Sequence, residues 1–332
     1  MVKLGIIGLG HMGAYHFSAC QLIPNISLIA IADPQEENWK KVKSNKIIKT
    51  KNYNDWLDEV EAVIIAVPTN LHYKIAKDCL LKGKHILVEK PLTKNIDQAH
   101  ELFQIAEKQK VALHIGHVER FNGAVQELKK IIQKPYLIES HRLGPFIPRV
   151  QKDSVILDLM IHDLDIILNL VDSPIKTINI VGNKIKTDLT DIAIVQISFE
   201  NGVLANLVSS RASQIKQRTM SIHQNNSFVK LDFTTQDISI HKHATDSVKV
   251  GTNQMKYKQE SNIERLFVYK DNPLKLEIEN FIKSIKTNKK LTDSKKDIIA
   301  LNTTLKLEKL LEEKKHDCSN RRYRQSSAAS LS

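Results

Sequence analysis

Cysteine is scarce in this sequence: only Cys20, Cys79 and Cys318 occur among 332 residues, and none are paired at metal-binding spacing. We therefore expect neither a disulfide framework nor a structural zinc site, and reduced thiols fit a cytoplasmic protein. Long apolar runs are also missing, since none approaches the ~20 residues that a membrane span needs. Residues 1–8 are too short and too glycine-interrupted for a signal peptide. The sequence thus predicts a cytoplasmic protein without a bound metal or a membrane anchor.

The chain carries an excess of positive charge, with a formal net charge of +12. Its lysines are scattered and interleaved with acidic residues, and no RNA- or DNA-binding motif accompanies them. Net charge alone speaks to nonspecific attraction rather than to fold. We therefore expect no nucleic-acid partner, although the excess charge would help to capture an anionic substrate.

The first third of the chain alternates short β-rich runs with amphipathic helical stretches, the pattern of βαβ units in a parallel sheet. Run 62–67 is apolar without alternation, so both of its faces should be buried. The sequence predicts a doubly wound α/β domain. Its strands are expected at 3–8, 27–32, 62–67, 85–88 and 111–115, and its helices at 11–23, 71–82 and 95–109.

The pattern changes after residue 119, where strands begin to follow one another. A hairpin signal, Asn201-Gly202, separates two of them. We predict an α/β domain with an open, mostly antiparallel sheet. Its helices are expected at 124–132, 155–171, 274–285 and 295–313, and its strands at 136–141, 175–181, 192–199, 203–209, 219–223, 228–233 and 238–241.

Three segments are therefore predicted. Residues 1–119 form a Rossmann domain, and residues 120–313 form a domain for substrate binding and oligomerisation. Residues 314–332 are expected to be a disordered basic tail.

A glycine-rich run directly follows the first predicted strand and opens the first predicted helix. It reads Gly8-Leu9-Gly10-His11-Met12-Gly13, a G-x-G-x-x-G pattern in the context that makes it a dinucleotide fingerprint. Gly8 allows the tight turn, Gly10 lets the backbone approach a pyrophosphate, and Gly13 lets helix and strand pack closely. The helix N-terminus offers N–H groups to phosphate. We expect this turn, including His11 and Met12, to contact the cofactor.

An acidic residue, Asp33, ends the second predicted strand, 20 residues after Gly13. A carboxylate there accepts hydrogen bonds from ribose hydroxyls and repels a 2′-phosphate. The sequence therefore predicts NAD rather than NADP.

Two further segments fall at the carboxyl ends of predicted strands, the edge at which open α/β sheets bind ligands. Thr69 and Asn70 follow strand 62–67 and can contact cofactor or cap a helix beginning at Leu71. Glu89 and Lys90 follow strand 85–88, and the proline after Lys90 restricts that lysine to extended geometry. We expect Glu89 at the cofactor and Lys90 towards the nicotinamide end of the site.

Two polar residues, Asp158 and His162, interrupt the apolar helix 155–171. In a regular α-helix their i, i+4 spacing places them on one face. Burying them costs free energy unless each finds a partner, and a histidine titrates near neutrality and so can exchange a proton with an alcohol. A metal-binding pair or a structural buried pair remain alternatives.

Together these motifs resemble the Gfo/Idh/MocA oxidoreductase family. The carriers are the glycine turn, Asp33, segments 66–70, 89–91 and 117–122, and the Asp158–His162 pair. The resemblance implies NAD-dependent oxidation of a sugar hydroxyl and a homodimer or homotetramer through the second sheet. It also implies that Lys90 hydrogen-bonds the reacting hydroxyl, that His162 is the general acid/base and that Asp158 is its acidic neighbour.

Segments 117–122, 141–145 and 158–165 look most similar to the branch that oxidises the 3-hydroxyl of UDP-N-acetylglucosamine before an aminotransferase acts. Four residues are expected at the substrate, the arginines on its diphosphate unless they form ordinary ion pairs: Arg120, Asn122, Arg142 and Arg149. A free-sugar or myo-inositol dehydrogenase, or a non-catalytic sugar-sensing regulator of the same fold, remain alternative functions.

Overall fold

The computed structural model of the chain describes residues 1–148, 153–249, 255–289 and 292–329. The strands are β1 (Val2–Ile7), β2 (Ile26–Ala32), β3 (Ile48–Thr50), β4 (Ala62–Ile65), β5 (His85–Glu89), β6 (Leu113–Gly116), β7 (Pro135–Leu143), β8 (Ile175–Asn183), β9 (Ile192–Phe199), β10 (Leu204–Ser210), β11 (Gln217–Gln224), β12 (Ser227–Asp232), β13 (Asp237–Lys249) and β14 (Met255–Arg265).

The α-helices are α1 (His11–Cys20), α2 (Thr69–Leu81), α3 (Ile96–Gln109), α4 (Gly123–Ile131), α5 (Ile161–Leu170), α6 (Pro273–Thr287) and α7 (Ser294–Ala329). Short 3-10 turns occur at Glu36–Lys41, Tyr53–Asp55, Leu57–Glu59 and Val118–Phe121, and a π-helical turn covers Ile156–Met160. Within the described parts of the chain, no helix has both the length and the apolar character that a bilayer crossing requires.

The chain forms two compact units, each made of two stretches of sequence. The first contains Met1–Asn122 and Asp271–Asn302, and the second contains Gly123–Lys270 and Thr303–Ser332. Residues 271–302 thus belong to the first unit, although the sequence predicts them in the second domain. Helix α7 extends to Ala329, through the segment from residue 314 for which the sequence predicts disorder.

The first unit is built on a six-stranded sheet in the order β3-β2-β1-β4-β5-β6, with every neighbouring pair parallel. This is the order of a doubly wound dinucleotide-binding sheet, and the chain reverses its direction of progression between β1 and β4. All four residues of β4 are fully buried, which confirms the predicted two-sided burial. Leu274, Ile278 and Phe281 of α6 belong to the same hydrophobic cluster as β1 and α1.

The second unit is built on an eight-stranded sheet in the order β14-β13-β12-β11-β7-β10-β9-β8. Only β7 and β10 pair in parallel, so the predicted mostly antiparallel sheet is confirmed. Alternate residues along β9 are buried, as expected for a sheet with one face on a core. That core includes Phe199 of β9 together with Met160 and Leu164 of the π-helical turn and α5.

Candidate active site

The glycine turn between β1 and α1 has the geometry that its sequence pattern requires. Gly8 has φ +88°, and a Cβ there would lie 2.5 Å from the carbonyl oxygen of Ala66. A Cβ on Gly13 would lie 2.0 Å from the carbonyl oxygen of Gly8, so only glycine permits this helix–turn packing. A Cβ on Gly10 would meet no heavy atom within 4 Å. The space over Gly10 is therefore open to a ligand, as the close approach of a pyrophosphate demands.

The first turn of α1 is suited to hold an anion. Gly10 occupies the N-cap position without a side-chain cap, and the first turn carries no acidic residue. The N–H groups at this end and the partial positive charge of the helix therefore face no competing carboxylate from that turn. His11 and Met12 lie in this turn, with His11 exposed and in edge-to-face contact with Tyr15.

Asp33 joins the glycine turn to the end of β2. Its Oδ2 accepts a hydrogen bond from the Leu9 N–H at 2.7 Å, and its Oδ1 accepts one from the Gln35 N–H at 2.8 Å. A carboxylate offers about four lone-pair sites, so each oxygen keeps capacity for a ribose hydroxyl. The turn, the open space over Gly10 and this carboxylate together fit a dinucleotide that carries free ribose hydroxyls.

The loop after β4 leads directly into α2, which begins at Thr69 with Pro68 in the N-cap position. Neither Thr69 nor Asn70 therefore caps a helix starting at Leu71, and that alternative is wrong. Thr69 is half-buried and Asn70 is exposed.

Glu89 ends β5 as a buried carboxylate with a protein partner. His16 Nε2 lies 2.7 Å from Glu89 Oε1, and both side chains are almost fully buried. Burial raises the pKa of Glu89, but the His16 hydrogen bond and the charges of His16, Lys90 and His72 outweigh it and leave the pKa lowered. The Glu89 carboxylate therefore has a partner within the protein, and its contact with the cofactor stays a prediction. Lys90 follows, half-buried, and its peptide bond to Pro91 is cis.

Two histidines that the sequence analysis did not single out support this edge of the sheet. His16 on α1 is the partner of Glu89, and His72 on α2 contacts the carbonyl oxygens of Val67 and Pro91. Both are buried polar residues in predicted helices, and that combination was the available signal.

The first unit also contains buried acids that sequence reasoning missed. Glu277 on α6 is almost fully buried, and neither of its oxygens has a hydrogen-bond partner among the described residues. Burial and the charge of Glu89 raise its pKa well above the usual value, with Arg120 opposing them. Arg120 itself lies 2.7 Å from Asp297 Oδ1, whose side chain is fully buried. Arg120 therefore forms an ion pair with the buried Asp297 carboxylate, which neutralises its charge. Its contact with the substrate diphosphate stays a prediction.

Asp158 lies within the π-helical turn, and His162 follows in the first turn of α5. The Ile161 N–H bonds to the carbonyl oxygen of Ile156, five residues earlier, where an α-helix would use four. The segment from Asp158 towards His162 is therefore wound as a π-helix at its start, where the sequence predicts a regular α-helix. The wider turn inserts an extra residue and rotates the later face, a feature frequent at functional sites. Both side chains are half-buried.

A polar network holds the segment that precedes this turn. Asp191 accepts hydrogen bonds from the N–H groups of Ile185, Lys186 and Thr187 and from the Arg211 guanidinium. Burial raises the pKa of Asp191, but these bonds outweigh it and hold the pKa well below the ordinary value. Arg211 also donates to the Asp153 carbonyl at 2.7 Å. The start of the segment that carries Asp158 is therefore fixed by buried hydrogen bonds.

Arg142 forms a bidentate ion pair with Asp163, the neighbour of His162. Its Nε and Nη2 lie 2.9 and 2.8 Å from the two carboxylate oxygens, and its guanidinium stacks 4.8 Å from the Phe233 ring centroid. The pair is buried, so Arg142 has an internal ion-pair partner, and its contact with the substrate diphosphate stays a prediction. Asn122 is also buried, 3.4 Å from Glu119 Oε2. Arg149 lies outside the described residues.

Comparisons with known proteins agree with the fold. Residues 2–117 match the Gfo/Idh/MocA oxidoreductase family, NAD-binding Rossmann fold, and residues 125–227 match the Gfo/Idh/MocA C-terminal domain. UDP-N-acetylglucosamine 3-dehydrogenase of Acidithiobacillus ferrooxidans is 32% identical over 74% of this chain and 79% of its own length. Myo-inositol 2-dehydrogenase of Thermotoga maritima is 26% identical over 63% of this chain and 69% of its own.

A solved structure of the Acidithiobacillus ferrooxidans enzyme superposes with a TM-score of 0.83 at 29% identity. The superposition covers 94% of this chain and 98% of that one.

Proposed function

Because this chain belongs to the Gfo/Idh/MocA oxidoreductase family, we propose that it oxidises the 3-hydroxyl of UDP-N-acetylglucosamine, or of a related nucleotide sugar, to a ketone. The chain is an NAD-dependent dehydrogenase that acts on a sugar hydroxyl. The observation that carries the choice of substrate is the 32% identity over 74% of the chain with a dehydrogenase of that name.

NAD would be held by the glycine turn and by Asp33. Gly10 leaves room for the pyrophosphate beside the N–H groups of α1, and Asp33 accepts hydrogen bonds from the ribose hydroxyls. When bound, NAD supplies the acceptor for the hydride that leaves the carbinol carbon.

Three residues take part in removing the proton of the reacting hydroxyl. The Lys90 ammonium donates a hydrogen bond to the hydroxyl oxygen and stabilises the negative charge that develops on it. His162 accepts the proton as general base, and Asp158, its acidic neighbour, favours the imidazolium that results. A homodimer or homotetramer through the eight-stranded sheet, and an aminotransferase that consumes the ketone, stay predictions.

A myo-inositol dehydrogenase is the second candidate, because enzymes named for inositol oxidation also occur among the relatives. A non-catalytic sensor of the same fold is the third. The presence of Lys90, Asp158 and His162 together favours the enzymatic alternatives.

The substrate is tested by following NADH absorbance with NAD and each of four compounds: UDP-N-acetylglucosamine, UDP-glucose, free N-acetylglucosamine and myo-inositol. Hydroxylamine traps the ketone, and mass spectrometry of the trapped product locates the oxidised carbon. We expect UDP-N-acetylglucosamine to have the largest kcat/KM and to yield the 3-ketone. Preference for myo-inositol would replace the substrate proposal, and no NADH with any compound would favour the sensor.

The proton-handling residues are tested by Lys90→Met and His162→Asn. General acid/base and electrostatic contributions lead us to expect losses in kcat of about 100-fold or more. NAD binding, measured by calorimetry, should stay within about threefold of the unmodified protein, because neither residue is assigned to the cofactor. Normal turnover by either variant would contradict its assignment.

A further inference from the structure

The side chain of His72 contacts two loops at the carboxyl edge of the parallel sheet. Its Nδ1 lies 2.8 Å from the Pro91 carbonyl oxygen and its Nε2 lies 2.8 Å from the Val67 carbonyl oxygen. Only 1% of the residue is exposed. The imidazole therefore spans from the loop after β4 to the loop after β5 inside the protein.

The identity of these partners fixes the protonation of the ring. A carbonyl oxygen only accepts hydrogen bonds, so each contact requires an N–H on the imidazole. A neutral imidazole carries one N–H, whereas both contacts together require the doubly protonated, positively charged ring.

A buried positive charge needs a nearby negative one. Glu89 supplies it, since its carboxylate is buried at the end of β5 and its electrostatic interaction with His72 is favourable. His16 holds the Glu89 carboxylate in place, with its Nε2 2.7 Å from Oε1. Glu89 is thus hydrogen-bonded to α1 and stands one residue before Lys90, in the same stretch of chain that His72 contacts at Pro91.

Both loops adjoin residues that are expected at the site: Lys90 after β5, and Thr69 and Asn70 in the first turn of α2. Lys90 directly precedes Pro91, and Thr69 and Asn70 follow Val67 by two and three residues. We propose that His72 is a positioning residue. As a buried imidazolium, it fixes the spacing between the loop after β5, which carries Lys90 and Pro91, and the loop after β4, which carries Val67 and leads to Thr69. This inference rests on the proposed function, because it assumes that Lys90 acts on the reacting hydroxyl.

Two conservative variants separate the two bonds. The amide nitrogen of His72→Asn takes the place of Nδ1 and keeps the bond to Pro91, whereas that of His72→Gln takes the place of Nε2 and keeps the bond to Val67. Removing a donor from a buried carbonyl, or moving a catalytic group by about 1 Å, changes rates or affinities by about 10- to 100-fold.

We therefore expect opposite kinetic defects. His72→Gln should lower kcat by about tenfold or more and leave the KM for NAD within about threefold. His72→Asn should raise the KM for NAD by about tenfold and leave kcat within about threefold. These bounds follow from the same loss of one bond in each variant. Equal defects in the two variants, or no defect in either, would overturn the inference, since a merely structural histidine predicts no crossover.

A matched control is His114→Gln, which places the same amide at another buried histidine of the first unit that no proposal uses. It should leave both kcat and the KM for NAD within about threefold, a change below that expected for one lost bond. All rates are measured well below each variant's unfolding midpoint and are normalised to folded protein.

The protonation state of the His72 ring is measured directly by NMR spectroscopy. In the ¹⁵N–¹H spectrum of the full chain at pH 7, assigned by comparison with His72→Gln, both ring nitrogens of His72 should carry a proton. A single protonated nitrogen would overturn the imidazolium. If Lys90→Met retains full turnover, the proposed function fails regardless of His72. If Lys90→Met is inactive and the His72 variants show no crossover, the function stands and this inference fails.

Discussion

The Asp33 carboxylate accepts a 2.7 Å hydrogen bond from the backbone N–H of Leu9, inside the glycine turn. The same side chain accepts from Gln35 after β2, so one buried acid ties the turn to the neighbouring strand. The acid that we propose for ribose recognition thus also shapes the loop that we propose for the pyrophosphate.

We expect Asp33→Asn to raise the KM for NAD by about tenfold or more, because hydrogen bonds to charged groups contribute about 1.5–3 kcal/mol. Loss of the negative charge should also narrow the preference for NAD over NADP. Steady-state kinetics with both cofactors measure this. Asp58→Asn, at a carboxylate that is 80% exposed, is the control and should change neither value. An unchanged preference in Asp33→Asn would remove Asp33 from cofactor selection.

Alanine substitutions at two glycines of the turn should affect different properties, one the stability of the fold and the other the binding of NAD. Gly13→Ala places a methyl group 2.0 Å from the Gly8 carbonyl oxygen, and such overpacking costs about 1–3 kcal/mol of unfolding free energy. Gly10→Ala meets no protein atom and should keep its stability while weakening NAD binding, because the methyl group enters the ligand space.

Urea unfolding and calorimetric titration with NAD separate the two effects. Gly144→Ala, also in open space, is the control for the Gly10 variant. NAD binding by Gly10→Ala at normal affinity would show that the pyrophosphate does not lie over this residue.

Replacing only one partner of the buried Arg142–Asp163 pair should lower the free energy of unfolding strongly. Arg142→Met leaves a buried carboxylate without its partner, which costs about 3–5 kcal/mol of unfolding free energy. The double variant Arg142→Met/Asp163→Leu should recover much of that loss. Lys242→Met, which breaks a pair whose side chains are more than half exposed, should cost no more than ~1 kcal/mol. A loss below ~1 kcal/mol in Arg142→Met would contradict the buried pair.

Glu277 should make the first unit less stable as the pH rises. Its folded pKa is raised by burial, so its contribution to stability is fully present below the unfolded pKa of about 4.3. That contribution is lost progressively as the pH rises towards the raised folded value. Glu277→Met should therefore be more stable than the unmodified chain at pH 7–8, and the gain should shrink towards pH 4.

Unfolding midpoints in urea across this pH range measure the difference. Glu279→Met on the same helix, at a side chain 38% exposed, is the matched control and should show little pH-dependent gain. A gain in Glu277→Met that is constant with pH would point to packing rather than ionisation.

Much of the first unit could be predicted because its signals are local. Patterns of only a few residues identify the glycine turn, Asp33 and the apolar strands in the sequence. The structure places them as expected. Strand β3 was missed because its three residues, Ile48–Thr50, are too few to show a period. The partners of Glu89 and Arg142 lie 73 and 21 residues away in sequence, beyond any local pattern.

The π-helical turn was missed for a different reason. Apolar residues surround Asp158 on both sides, so the hydrophobic pattern is the same with four or five residues per hydrogen-bonded turn. Only the backbone bond from Ile161 to Ile156 distinguishes the two.

The position of α6 has a consequence for how the protein is made. Leu274, Ile278 and Phe281 complete the apolar cluster around β1, yet they are synthesised some 150 residues after Asn122, the last residue of the first stretch (from the unit boundaries Asn122 and Asp271). During synthesis on the ribosome, the apolar surface of the first unit that α6 covers therefore stays exposed until the whole eight-stranded sheet has emerged. A gene fragment cut after residue 122 would encode an aggregation-prone product, and only a chain that continues through residue 302 carries all of this unit.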